Sequence, residues 1–440
     1  MTNIKDRTKK LFFNASWLFG AKTAAGIFSA IQTIIIARIL GVNDYGLLVL
    51  IIAYVGILFV ILDFQFWETA TKYIGGFWSD GDRPRTASMI KLSYLVDISS
   101  GIIAFAIAII TAQIVNKYFI NSPEAELLIR LYAISLLIDT TNFTSDAILR
   151  VFEKFKQISF IVSLTNLTRL ALVSAALFSG MGLKEVLYSY IAASILGIGI
   201  RLVIVNMTLN EKGLHRWWKA NIALIKNQWK EITWFLANSS LTKTFTLASD
   251  NYLGIMMLGH FSGTEATALY KIARNCTTII KRFMDPLYEA IYPELVKISG
   301  LKNLKDFSHI IKASTKTLIK ISIPVAIILL VFPDVIINLI FGKQYLPAVN
   351  ALRIVTIGVL VSQLSFWIGP ALLALGRPGL RTIIRGCTTI FYVILLLILV
   401  PKYSYNGAAV AFLAYSIVVT AIAFYNIRYQ IKKYPDEKPG

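Results

Sequence analysis

The sequence predicts an all-α polytopic membrane protein, with about twelve transmembrane helices in two six-helix lobes around a central cavity. Hydrophobic residues fill 56% of the 440 positions and charged residues only 15%, whereas a soluble domain carries roughly 25% charged residues. The apolar residues gather in about twelve stretches, each near the roughly 20 residues that cross a hydrocarbon core. Lysine and arginine fall almost entirely in every second connection between them, a regularity that a soluble chain has no reason to keep.

In chain order the predicted spans are 14–37, 46–70, 87–112, 124–148, 157–180, 184–207, 231–258, 264–293, 315–341, 347–376, 379–400 and 406–428. One set of connections holds Lys5, Arg7, Lys9 and Lys10, then Lys72, Arg83, Arg85 and Lys91, then Arg150, Lys154 and Lys156. The set continues with Lys212, Arg216, Lys219, Lys226 and Lys230, with Lys297 through Lys320, with Arg377, Arg381 and Arg385, and with Arg428, Lys432 and Lys433. The opposite set holds few bases, such as Lys117, Lys184, Lys343 and Lys402. Such asymmetry predicts both termini in the cytoplasm and residence in the bacterial inner membrane. The lobes are predicted at 1–210 and 231–440, joined by a cytoplasmic linker at 211–230.

The formal charge of +20, from 44 Lys+Arg against 24 Asp+Glu, is therefore mostly a topology signal, with some attraction to the anionic leaflet. No segment outside the spans is long enough to form a nucleic-acid-binding domain. Cys276 and Cys387 both fall inside predicted spans, which argues against a disulfide. The first apolar segment is too long for a cleaved signal peptide. Trp217, Trp218, Trp229 and Trp234, set among lysines, predict an interfacial helix with its rings at headgroup level.

The eighth span is the most informative, because hydropathy alone overlooks it. Read as one continuous helix, it carries Lys271, Arg274, Lys281, Arg282, Asp285 and Glu289 on a single face about 100° wide. Ile272, Cys276, Ile279, Ile280, Phe283, Leu287 and Ile291 occupy the other side. Six charges facing lipid would cost about 15–20 kcal/mol, so a surface helix and a cavity-lining span compete. The alternation of basic connections decides for the span, since without it the later loops fall on the wrong side. Lys22 shares a face with Asn14, Ser29, Gln32 and Thr33 in the first span; Lys243 shares one with Ser239, Thr246 and Asp250 in the seventh. Arg169 lies with Thr165 and Asn166 in the fifth. Intramembrane charges mark substrate routes or hold helices together; cations contributed by the first, seventh and eighth spans favour the former. Aligning Leu40-Gly41 with Leu258-Gly259 suggests that the halves are related, with Lys22 about one turn from the position of Lys243.

No catalytic motif is legible. Phe341-Gly342-Lys343-Gln344 lacks the spacing and hydroxyl of a phosphate loop. His215, His260 and His309 are too dispersed for a metal site. Asp80-Gly81-Asp82 reads as a solvated turn rather than a metal-binding DxD.

Ala37–Gly41 with Tyr45-Gly46, Ser249–Gly259 with Ala268-Leu269-Tyr270, Pro286, Tyr292–Leu295, Phe341–Ile354, Leu372–Arg381 and Asn406–Ala409 together resemble the Wzx-type polysaccharide (O-antigen) flippases of the multidrug/oligosaccharidyl-lipid/polysaccharide (MOP) exporter superfamily. The resemblance covers nearly the whole chain in order and spacing; Ala268 departs from an expected glycine. It implies a non-enzymatic flippase that carries undecaprenyl-pyrophosphate-linked oligosaccharide from the cytoplasmic to the periplasmic leaflet by alternating access. No cofactor is implied. A polymerase and chain-length proteins are candidate partners, and one two-lobed chain is expected to function as a monomer.

Fixed cations suit a pyrophosphate, with arginine bidentate and lysine a point charge. Lys22, Lys243, Lys271 and Arg274 are the first candidates for headgroup contact, with Arg169 and Arg282 second. Asp250, Asp285 and Glu289 either balance these charges or bind a proton or Na⁺; the membrane potential is a third source of drive. The alternatives are a cation-coupled multidrug antiporter of the same superfamily, disfavoured by a basic cavity, and a membrane polysaccharide polymerase or ligase, disfavoured by short external loops.

Overall fold

The computed structural model describes residues 4–62, 66–234, 236, 252–282, 284–300 and 304–433. Every extended element among them is helical. Seven helical stretches within them are long and apolar enough to cross a membrane. The chain divides into two compact units, one formed by 1–41 with 51–244 and the other by 42–50 with 245–440.

The first unit begins with α1 (Ile4–Leu62), which contains the first predicted span and the part of the second up to residue 62. The two are separated by a kink at Gly41 (φ 80°, ψ −179°), a backbone conformation that needs glycine. Next come α2 (Phe66–Ser79) and α3 (Arg83–Val115). Asp80-Gly81-Asp82 is the turn between them: Asp82 caps α3 by accepting from the Arg85 backbone N–H at 3.0 Å. The predicted fourth span is broken into α4 (Ala125–Asp139) and α5 (Asn142–Val151). The unit continues with α6 (Phe155–Phe178) and α7 (Leu183–Glu211). At the start of α7 the Gly182 N–H donates to the Glu185 carboxylate at 3.0 Å. A core containing Ile74, Met89, Ile90, Ile148, Leu149 and Leu209 binds α2, α3, α5 and α7 together.

In the second unit, α8 (Tyr252–Cys276) is kinked at Gly263 with φ 80° and ψ −171°, nearly the geometry of Gly41. This shared geometry favours a different alignment of the halves from the one suggested by sequence. Gly263, rather than Gly259, stands opposite Gly41, which sets Lys22 opposite Thr244, beside Lys243. Residues 42–50 belong to this unit because they pack on α8. A Cβ at Gly46 would lie 2.0 Å from the Thr264 carbonyl oxygen, so only glycine permits the approach. The Asn275 amide also donates to the Tyr45 hydroxyl at 3.1 Å.

The eighth predicted span is not one continuous helix. It breaks at Thr277, between α8 and α9 (Thr278–Arg282); α10 (Met284–Gly300) is described on the far side of residue 283, which lies outside the described residues. Thr277 and Thr278 hydroxyls both donate to the Arg274 carbonyl, at 2.8 and 3.3 Å, competing with the helical ladder at the break. Gln363 donates to the Ile280 carbonyl at 3.0 Å from another helix.

Beyond it, α11 (Leu304–Val331) carries helix through much of the stretch read as a basic loop. The chain proceeds through α12 (Pro333–Ile340), α13 (Val349–Gln363) and α14 (Ile368–Ala374) to α15 (Pro378–Lys433). Ser404 (φ 49°) divides α15 where the eleventh and twelfth spans were expected to part. Leu295, Phe307, Leu318, Trp367 and Ala423 form a buried cluster in this unit. The predicted interfacial helix is in part a pair of 3-10 stretches, Trp217–Lys219 and Ile222–Gln228, and in part α-helix over 229–234, which carries Trp229 and Trp234.

Candidate functional site

Polar side chains inside the first unit are organised by the break between α4 and α5. Asp139, Asn142 and Asp146 recur at helical spacing across it, and Ser194 and Arg201 lie two turns apart on α7. Arg201, 7% exposed, is ion-paired to Asp146 at 3.1 Å and hydrogen-bonded to Asn142. Asn142 in turn donates to Asp139 at 3.2 Å. Ser194 donates to Asp139 at 3.5 Å and accepts from Arg169 at 3.4 Å. The Arg169 guanidinium lies 5.1 Å from the centre of the Tyr190 ring. Nearby, Asp97 accepts from the Thr144 backbone N–H at 3.0 Å and Tyr94 is bonded to Ser145 at 2.9 Å. Each acid in this chain of contacts meets a cation or donor, as burial requires.

The sequence reading found Arg169 here and missed Asp97, Asp139, Asp146 and Arg201. Arg169 and Thr165, one turn apart on α6, both meet α7. Thr165 packs against Gly197 of α7, and Asn166 donates to the Val162 carbonyl at 2.8 Å. Lys22 sits on an exposed turn of α1 in the same unit. The signal that would have exposed the network is the acid and amide spacing at 139, 142 and 146, read against the arginine at 201.

The second unit holds a different kind of site. Arg274 is only 3% exposed, and its guanidinium carbon lies 3.8 Å from the centre of the Phe412 ring. Neither terminal guanidinium nitrogen has a hydrogen-bond partner among the described residues. The Lys281 ammonium approaches the same ring at 5.7 Å. Lys271 lies one turn before Arg274 and is half-buried. Tyr270 and Tyr392, both fully buried, converge near Gly254, where a Cβ would stand 2.9 Å from the Tyr392 hydroxyl and 3.7 Å from that of Tyr270. Cations thus accumulate around one aromatic ring, with the buried arginine lacking a described anion.

Arg282, expected beside Arg274, is exposed: the break at Thr277 removes it from the helical register used to group them. Lys243 and Asp250, and the side chains of Asp285 and Glu289, lie outside the described residues. Two sites therefore differ chemically. The first unit's network matches arginines with carboxylates, whereas Arg274 presents positive charge toward unfilled acceptor positions.

A profile of the family described as polysaccharide biosynthesis protein matches residues 11–299. A Shigella flexneri protein, whose name provisionally assigns it to O-antigen transport, is 24% identical over 86% of this chain and 88% of its own. A Haloferax volcanii protein named as a probable low-salt glycan biosynthesis flippase, Agl15, is 22% identical over 85% of this chain and 74% of its own. Among solved structures, an inward-facing multidrug resistance MATE transporter of the MOP superfamily superposes with a TM-score of 0.79 at 14% identity, covering 94% of this chain and 96% of that one. The lipid II flippase MurJ, in an inward closed conformation, gives 0.74 at 16% identity over 93% and 87%. These superpositions establish the all-helical fold of MOP exporters.

Proposed function

Given that this chain belongs to the polysaccharide biosynthesis protein family, we propose that it is a flippase for undecaprenyl-pyrophosphate-linked oligosaccharide repeat units. It turns them from the cytoplasmic to the periplasmic leaflet of the bacterial inner membrane by alternating access, with both chain termini on the cytoplasmic side. The observation that carries this reading is Arg274, buried with both terminal nitrogens unbonded among the described residues. A guanidinium held in that way is costly until a ligand supplies acceptors. A pyrophosphate supplies charged oxygens in pairs, the geometry that a guanidinium fork meets with two parallel hydrogen bonds. Lys271 and Lys281, close by, contribute further positive charge. Lys22, Lys243, Arg169 and Arg282 are assigned to earlier or later contacts along the route.

Relatives named for O-antigen transport and glycan flipping support the cargo class. An inside-negative potential favours outward movement of an anionic headgroup by about 2.3 kcal/mol per charge per 100 mV. Asp250, Asp285 and Glu289 are assigned to balancing the cations in the absence of cargo. A polymerase and its chain-length partner would take over the product, and one chain suffices for transport.

The test is surface-glycan display in a deletion strain complemented with wild type, Arg274→Ala or Lys243→Ala at matched protein levels. Lipid-linked repeat units are measured in parallel. Lost display with cytoplasmic-side accumulation of repeat units is expected in the variants. Normal display in the variants and in the deletion itself would sink the assignment.

A further inference from the structure

Between Glu211 and Glu231 the chain carries Lys212, Arg216, Lys219, Lys226 and Lys230 without a single acid, interleaved with Trp217, Trp218 and Trp229. This connection is firmly built. Lys91 and Ser88 of α3 donate to the carbonyls of Ala220 and Asn221, each at 2.9 Å. The Asn221 side chain accepts from the Ala223 N–H at 3.0 Å, capping the second 3-10 turn. Leu214 and Ile225 are buried in the first unit's core, and Trp217 packs on Tyr94 with ring centres 5.0 Å apart. With these residues turned inward, Arg216, Trp218, Lys219, Lys226, Trp229 and Lys230 remain exposed.

The geometry points to a binding surface for anionic phospholipids of the adjoining leaflet. The connection leaves directly from the end of α7, a membrane-length helix, and so begins at the bilayer's edge. Trp218 and Trp229 are 49% and 46% exposed. Indole rings held on a fixed backbone find suitable surroundings at headgroup depth, where the ring is shielded and the N–H meets an acceptor. Four exposed cations beside them select for headgroups with net negative charge, each base contributing about a fivefold preference at low ionic strength. Because the backbone is already bound to α3, little ordering cost opposes lipid contact. An acidic protein partner would account for the cations but not for ring exposure at the membrane edge.

The experiment is native mass spectrometry of the purified full chain, released from micelles with equal phosphatidylglycerol and phosphatidylcholine. Wild type is compared with R216Q/K219Q/K226Q/K230Q and with K117Q/K184Q/K343Q/K402Q, which removes the same charge from other connections. Wild type and the second variant should retain the anionic lipid at least about fivefold over the zwitterionic one, and the first variant should fall to near parity. Equal retention of both lipids by wild type, an undiminished preference in the first variant, or the same loss in both variants would overturn the assignment. Independently, in nanodiscs, brominated phosphatidylglycerol should quench tryptophan emission more in wild type than in W218F/W229F; equal quenching would also overturn it.

Discussion

Replacing Arg274 with methionine should separate stability from transport. The guanidinium is 3% exposed, stacks on Phe412 at 3.8 Å and lacks partners for both terminal nitrogens among the described residues. Methionine forfeits the cation–π contact, about 2 kcal/mol when desolvated. It also relieves the penalty of an uncompensated buried charge, which runs to several kcal/mol per ion. The long, flexible side chain refills much of the space beside Phe412. The balance is a variant about as stable as wild type, or more stable by about 1–3 kcal/mol. Thermal unfolding of purified protein measures the first half of the expectation, and glycan display measures the second, which should be lost. A variant that melts as though about 3 kcal/mol or more had been lost would refute the reasoning, because it would mean that the arginine is a paired structural element.

Other positions give contrasting expectations. Arg201→Met should destabilise the first unit by about 3–5 kcal/mol, since it strands the Asp146 carboxylate, and R201M/D146L should recover most of that in thermal unfolding. Gly46→Ala places a methyl 2.0 Å from the Thr264 carbonyl oxygen, so a loss of about 3 kcal/mol or more should appear as a sharply reduced yield of folded protein. Lys72→Ala breaks an exposed pair with Glu231 at 3.3 Å, and denaturation should register less than about 1 kcal/mol.

The positions of chain reversal were legible because they rest on local chemistry. Gly41, Gly263 and Ser404 kink the helices in or beside the connections that charge and hydropathy had separated. The orientation of individual side chains was less legible. A helical wheel placed Arg274 and Arg282 on one face, yet two threonine hydroxyls at the Arg274 carbonyl accompany a break that leaves one arginine buried and the other exposed. The polar network of the first unit escaped notice for a related reason. Asp139 and Asp146 look like isolated charges within an apolar run until their helical spacing with Asn142 is matched with Arg201 on α7, a helix distant in sequence. Which face a helix buries depends on its neighbours, and a single helix's periodicity does not contain that information. The register suggested between the halves also shifts, since matching φ/ψ at Gly41 and Gly263 favours an alignment four residues from the one read from sequence.

Transport itself is tested most directly in proteoliposomes that carry a labelled undecaprenyl-pyrophosphate oligosaccharide, scored by how fast the glycan becomes accessible to an impermeant glycosidase. Wild type should expose it, Arg274→Lys should expose it more slowly because a point charge replaces a bidentate fork, and Arg274→Met should not rise above empty vesicles. Equal rates in wild type and Arg274→Met, or exposure no faster than in empty vesicles with wild type, would contradict the account.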